Sequence, residues 1–174
     1  VDGEKMEYDF KSLYNEIGGQ ETIDKLVNAF YPRVYADPVL APLFQGNMEE
    51  IKRKQRMFLP QFLGGPALYS QEFGPPAMRA RHLPFEVTPT RAQHWLKCMK
   101  EAFQEIGLDQ NPAGTAFYER LTQVAGIMVN TPDRDRNKIK ALLTARGAFT
   151  NLLSYFFNLA HVSSRAFIAS SFVF

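Results

Sequence analysis

Four residues in this chain are of types that could do chemistry together: His82, Tyr31, Gln55 and Trp95. His82 lies in the stretch MRARHLPF, residues 78–85, flanked by Arg79 and Arg81 and followed by a Leu-Pro-Phe stop. A histidine at the end of a short basic helix reads as a surface residue, a helix cap or a metal ligand. One histidine without a second ligand or a carboxylate cluster cannot hold a structural zinc ion, which takes four ligands. It can serve a metal whose other coordination positions are filled by something besides protein.

Tyr31, Gln55 and Trp95 each fall on a helical face that otherwise carries apolar residues. A buried phenol, amide or indole N–H left without a partner costs about 1–3 kcal/mol, so each needs a reason to be there. Singly, a nearby carbonyl or partial exposure would suffice. Three such groups on three different inward faces would suit a small polar guest inside an apolar chamber. Haem joins the two observations, because its macrocycle supplies four equatorial nitrogens and one axial protein ligand is enough. Arg79 and Arg81 would suit haem propionates, and equally a solvated helix end whose dipole favours cations.

These residues need helices to position them, and helical periodicity dominates the chain. A first short helix, about 9–17, stops at Gly18-Gly19. The next places Ile23, Leu26, Val27, Phe30, Tyr31 and Val34 on one face. Asp37-Pro38 reads as an N-cap with proline at the first helical position, opening a turn that ends near Phe44. Asn47 and Glu50 have capping-box spacing and start a helix with an inward stripe of Met48, Ile51, Gln55, Phe58, Leu59 and Phe62. After Gly64-Gly65-Pro66 a loop, ALYSQEFGPP, leads to the short helix of His82. Thr88-Pro89 begins a long helix with Ala92, Trp95, Leu96, Met99, Phe103 and Ile106 inward, closed by Gly107. A last one, about 113–130, turns Phe117, Leu121, Val124 and Met128 inward. Strand signals are almost absent, so the fold class is all-α, with helices packed as a small sandwich.

Bulk composition agrees with one soluble domain. Hydrophobic residues make up 45% and charged residues 22% of 174, enough to bury a full core. Of the 23 aromatic side chains, 15 are phenylalanine, which suits either a Phe-rich core or the apolar walls that a flat ligand needs. One cysteine, Cys98, leaves neither a disulfide framework nor a thiolate cluster. The first ten residues lack an apolar run, so no signal peptide is read there and a cytoplasmic location is expected. The net charge of +2 is unevenly spread: residues 136–174 hold five basic and no acidic residues, leaving −3 over 1–135 (15 basic against 18 acidic). The basic balance thus belongs to the tail and gives no ground for nucleic-acid binding by the main domain.

Taken in order, IGG (17–19), LVNAFYPRV (26–34), DPVLAPLF (37–44), KQRMFLPQFLGGP (54–66), MRARHLPF (78–85), RAQHWLKCMKEA (91–102) and MVN (128–130) resemble the truncated haemoglobins, especially their group II or O-type. The likeness runs from about residue 8 to 132. It implies a two-over-two helical sandwich around haem b. By this resemblance His82 is the proximal iron ligand, Phe44 the aromatic wedged on the haem face, Tyr31 the distal tyrosine and Trp95 the tryptophan typical of the group. Ile51 and Gln55 take the two distal helix positions that govern entry and ligand polarity. Phe58, Leu59, Tyr69, Arg79, Arg81 and Phe85 are the expected remainder of the haem pocket. The chain departs from the pattern in reading Gly74-Pro75-Pro76 before the proximal helix, in a bulky Ile51, and in Pro32 and Pro60 inside helices.

The resemblance implies binding of oxygen, nitric oxide and carbon monoxide, with redox chemistry such as oxidation of nitric oxide to nitrate. The chain has no flavin or nicotinamide motif, so a separate reductase is expected. Peroxidase-like turnover, plain oxygen binding and gas sensing are the alternatives. The division expected is a globin domain over 1–132 and an extension over 133–174. In the extension Phe149, Leu152, Leu153, Phe156, Phe157 and Ala160 share one helical face. That stretch, too polar for a membrane span, fits a cover for its own domain, a homodimer contact or a weak contact with an anionic membrane surface.

Overall fold

A computed structural model describes residues 13–134, and all but the first two residues of the expected extension lie outside them. Seven α-helices occupy this span: α1 (Leu13–Glu16), α2 (Gly19–Ala36), α3 (Met48–Phe62), α4 (Leu68–Phe73), α5 (Met78–His82), α6 (Pro89–Glu105) and α7 (Pro112–Met128). Short 3-10 turns lie at Ala41–Leu43 and Leu108–Gln110. No strand occurs among the described residues. Helix α2 packs on α3, and α6 packs on α7, while α2 also lies against α6, giving two helical pairs stacked as two over two.

The boundaries follow the local chemistry. Gly18, at φ 99°, turns the chain from α1 into α2, a left-handed conformation that glycine adopts without steric cost. Asn47 Oδ1 accepts from the backbone N–H groups of Glu49 and Glu50 at 2.9 and 3.4 Å and so starts α3. The reciprocal half of the capping box does not form, because the Glu50 carboxylate is taken by Arg53 at 3.1 Å. Thr88 and Asn111 cap α6 and α7, each ahead of a proline in the first turn. Helices α2 and α3 run unbroken through Pro32 and Pro60.

The α2 stripe is the expected core, whereas Ala92, Trp95, Leu96 and Ile106 of α6 and Val124 and Met128 of α7, expected inward, are only half-buried. Ile23, Leu26, Val27, Phe30, Tyr31 and Val34 of α2 are buried with Met99 and Phe103 of α6 and Phe117 and Leu121 of α7. The α3 stripe departs from expectation. Leu59 is buried, but Met48, Ile51, Gln55, Phe58 and Phe62 are only half-buried, and four of these five border a cavity rather than packed core.

The stretch expected as a loop after Pro66 contains α4. Gln61 explains it, since its amide accepts from Ser70 N–H at 3.0 Å and donates to Ser70 Oγ at 2.7 Å. Tyr69 is then buried edge-on against Phe58, with ring centroids 5.9 Å apart. This is tertiary stabilisation of a segment whose local signals are weak.

Gly114 sits where α7 crosses the 3-10 turn before it. A Cβ built there would lie 1.9 Å from the carbonyl oxygen of Leu108, a backbone atom that cannot rotate away. Gly114→Ala should therefore destabilise the fold by about 1–3 kcal/mol, despite alanine's higher helix propensity. Thermal melting of the variant beside the parent checks this, and an equal or higher melting temperature would contradict it.

Candidate functional site

Helices α2, α3, α5, α6 and α7 enclose a cavity of about 320 Å³, a size in the range of small-molecule sites. Its walls are mostly apolar: Leu40, Leu43, Phe44, Ile51, Phe58, Phe62, Tyr69, Val87, Leu121, Val124 and Met128 take part. Tyr31 enters it from α2, Gln55 from α3, Trp95 from α6 and His82 from α5.

His82 closes the last turn of α5, with Nδ1 2.6 Å from the carbonyl oxygen of Met78. A carbonyl only accepts, so Nδ1 carries the proton. In the neutral ring Nε2 is then the bare, basic nitrogen, the tautomer that a metal-ligating histidine needs. The helix end is itself anchored. Asn130, just past α7, donates through Nδ2 to the carbonyls of His82 at 3.1 Å and Phe85 at 2.9 Å, and its Oδ1 accepts from Val87 N–H at 3.1 Å.

Tyr31 is held by aromatic edges, its ring centroid 5.1 Å from that of Phe30 and 6.3 Å from that of Phe44. Phe30 in turn meets Trp95 edge-on at 5.3 Å. Burial pushes the Tyr31 phenol well above the usual tyrosine range, with the neighbouring Tyr35 adding to the shift. It therefore keeps its proton and can donate. No hydrogen bond joins the polar groups of Tyr31, Gln55 or Trp95 to another side chain or backbone group among the described residues. All three nevertheless border the cavity.

Among the described residues three cations reach the cavity wall, Lys54, Arg81 and Arg91, and no aspartate or glutamate borders it. Arg81 Nε donates to the Pro76 carbonyl at 2.9 Å, and Arg91 pairs with Glu86 outside the wall at 3.8 Å. An apolar slot with a cationic border suits a flat apolar molecule that bears acidic substituents. Among the described residues no three His, Cys, Asp or Glu side chains come together to hold a metal ion by themselves.

The model of the family described as bacterial-like globin matches residues 12–130. The chain belongs to the bacterial-like globin family. It is 44% identical over 133 residues to the group 2 truncated haemoglobin of Bacillus subtilis (strain 168), covering 76% of this chain and 99% of that one. Within the family it is therefore a group II truncated haemoglobin. The crystal structure of the group II truncated haemoglobin from Bacillus anthracis superposes with a TM-score of 0.67 at 46% identity, covering 70% of this chain and 98% of that one. A truncated oxygen-avid haemoglobin from Bacillus subtilis gives a TM-score of 0.65 at 46% identity, covering 68% and 98%. Membership implies haem, and the donor set fits it: one imidazole with a free Nε2, a long apolar slot and cations at its border.

Most of the residues singled out in the sequence of this globin meet at one place. Tyr31, Phe44, Ile51, Gln55, Phe58, Tyr69, Arg81, His82 and Trp95 all border the cavity. Three do not. Leu59 is one residue past Phe58, about 100° further round α3, and points into the core at 1% exposure. Arg79 turns to α7, where its guanidinium donates to the Ile127 carbonyl at 2.9 Å. Phe85 follows the helix stop at Pro84 and is 48% exposed. Lys54, Arg91, Met78 and Asn130 are among the residues that sequence reasoning did not place at or behind the wall, as are Leu40, Leu43 and Val87. Lys54 is detectable in retrospect, one residue before Gln55 on α3, but Arg91 and Asn130 depend on how distant segments meet.

Proposed function

We propose that this globin holds haem b through His82 and takes oxygen and related diatomic molecules into the half of the cavity bordered by Tyr31, Gln55 and Trp95. The observation that carries the reading is the pairing within one cavity of an imidazole with a free Nε2 and three polar side chains without hydrogen-bond partners among the described residues. Haem, when bound, supplies an iron with one open position and access to two oxidation states.

The chain's own groups do the rest. Met78 and Asn130 fix the tautomer of His82 and the helix end that presents it. Arg81, Lys54 and Arg91 balance the propionates. Tyr31 remains a phenol, so its O–H donates to a ligand that carries partial negative charge, as the Trp95 indole N–H does. The Gln55 amide can donate or accept. Ile51 narrows the entry beside them, and the aromatic walls keep bulk water away.

The reaction favoured is oxidation of nitric oxide to nitrate, in which nitric oxide, oxygen and one electron yield one nitrate ion. The electron comes from a separate reductase. The oxygen-avid relative from Bacillus subtilis supports a site that holds oxygen firmly.

An absorption spectrum tests the first half. The purified or haem-reconstituted protein should show a strong Soret band that shifts on reduction and again on exposure to oxygen or carbon monoxide. A protein that takes up no haem overturns the reading. Nitrate formation from nitric oxide, oxygen and an artificial electron donor tests the second half, and its absence leaves oxygen binding alone.

A further inference from the structure

His94 lies on α6 immediately before Trp95, and its Nδ1 is 2.8 Å from Asp37 Oδ2. The aspartate is largely shielded, its side chain 15% exposed, and it also organises the turn after α2. Its Oδ1 accepts from the N–H groups of Val39 and Leu40 at 2.8 and 3.1 Å. The backbone continues the order: Asp37 O accepts from Ala41 N at 2.8 Å, and Ala41 O accepts from Phe44 N at 3.1 Å. This turn carries Leu40, Leu43 and Phe44 to the cavity wall. Partial burial acts to raise the Asp37 pKa, but the bond from His94 and the two backbone donors outweigh it and hold the carboxyl below the usual range.

These contacts close a ring. Going one way, Trp95 touches Phe30, Phe30 touches Tyr31 and Tyr31 touches Phe44. Going the other way, Trp95 is joined through its neighbour His94 to Asp37, and Asp37 holds the turn that ends at Phe44. The aromatic half is packing, which resists approach but tolerates sliding. The polar half is the one directional link between α6 and the turn in this ring. Breaking it leaves the seating of α6 on the turn to packing, although Arg33 still ties the end of α2 to Glu101 and Glu105 of α6.

We propose that His94 and Asp37 are a positioning pair, which clamps α6 to the turn after α2 and so fixes Trp95 and Phe44 where they slow the escape of a bound diatomic ligand. The inference rests on the reading of the cavity given above. His94→Leu removes the donor, and Asp37→Asn keeps the cap to Val39 and Leu40 while turning its amide N–H group toward the histidine. His94→Asn restores a donor, since its Nδ2 occupies nearly the position of the imidazole Nδ1.

Oxygen release from the reduced haem protein, measured by stopped flow, should quicken roughly 5-fold in His94→Leu and in Asp37→Asn, the size expected for one lost hydrogen bond. His94→Asn should stay within about 2-fold of the parent, the spread expected when a similar bond is retained. A second readout does not depend on oxygen. The chain has one tryptophan, so its proton–nitrogen correlation spectrum holds one indole signal. That signal should move in the two breaking variants and return in His94→Asn. Trp95→Phe separates the two levels of inference. If it speeds release while the breaking variants do not, the cavity reading stands and the pair is not a positioning device. If Trp95→Phe leaves release unchanged, the cavity reading falls, and the indole signal alone decides whether the pair positions Trp95. An unmoved signal overturns the proposal, and a signal moved and then restored supports it.

Discussion

His82→Gly should lose haem, and added imidazole should restore both the Soret band and its ligand-induced shifts. The expectation follows from the arrangement behind the ring. Met78 and Asn130 help to present Nε2, and loss of such supporting partners typically costs 10–100-fold in metal affinity. Removing the donor itself should therefore cost more than roughly 100-fold, seen as faster haem loss and a smaller Soret band at equal protein concentration. Free imidazole fits the space vacated by the side chain, so recovery with imidazole separates loss of a ligand from loss of the fold. His82→Gly protein with full haem content and an unchanged spectrum would show that another group holds the iron. His94 is engaged with Asp37, which leaves it poorly placed for that role.

Tyr31→Phe and Trp95→Phe should each release oxygen faster. A hydrogen bond to a polarised partner is worth about 1.5–3 kcal/mol, or roughly 10- to 150-fold at 1.4 kcal/mol per decade. The tyrosine substitution leaves the ring contacts with Phe30 and Phe44 in place, so the change isolates the hydroxyl. The pH dependence has a definite sign. Because burial raises the phenol above its ordinary value, Tyr31 keeps its proton through the neutral and mildly alkaline range. Its contribution to holding the ligand should thus be flat there and fall only at strongly alkaline pH. Stopped-flow release measured from about pH 6 to somewhat above the ordinary tyrosine value near 10 checks both points. Two variants that both release at the parental rate would mean that the polar groups in this cavity do not hold the ligand.

The site was legible where function and helical periodicity coincide. Tyr31, Gln55 and Trp95 stood out because each interrupts an apolar stripe with a group that demands a partner, and the structure gives none of them one within the described residues. Leu59 was assigned to the pocket by resemblance, and it lies in the packed core rather than at the cavity wall. It belongs to the inward stripe of α3, but that stripe is wide enough to serve both the packed core and the cavity. Periodicity gives a face, and it does not say what the face meets. Phe85 was assigned to the pocket by resemblance, yet past Pro84 the chain has left the helix that would have aimed it inward.

Much of this protein was determined by the sequence alone. Helix order apart from α4, capping at Asn47 and Thr88, and the burial pattern of α2 all follow from local preferences and a 3.6-residue period, which act within one or two turns. Tertiary structure decided the rest. Helix α4 exists because Gln61 and Phe58 receive Ser70 and Tyr69. Arg79 left the pocket because a carbonyl on α7 was within reach. Asn130 braces the end of α5 from 48 residues away, and His94 meets Asp37 across 57. A hydrogen bond is short and directional, so its partner is set by where two distant segments come to rest, and nothing in the spacing of either segment encodes that meeting.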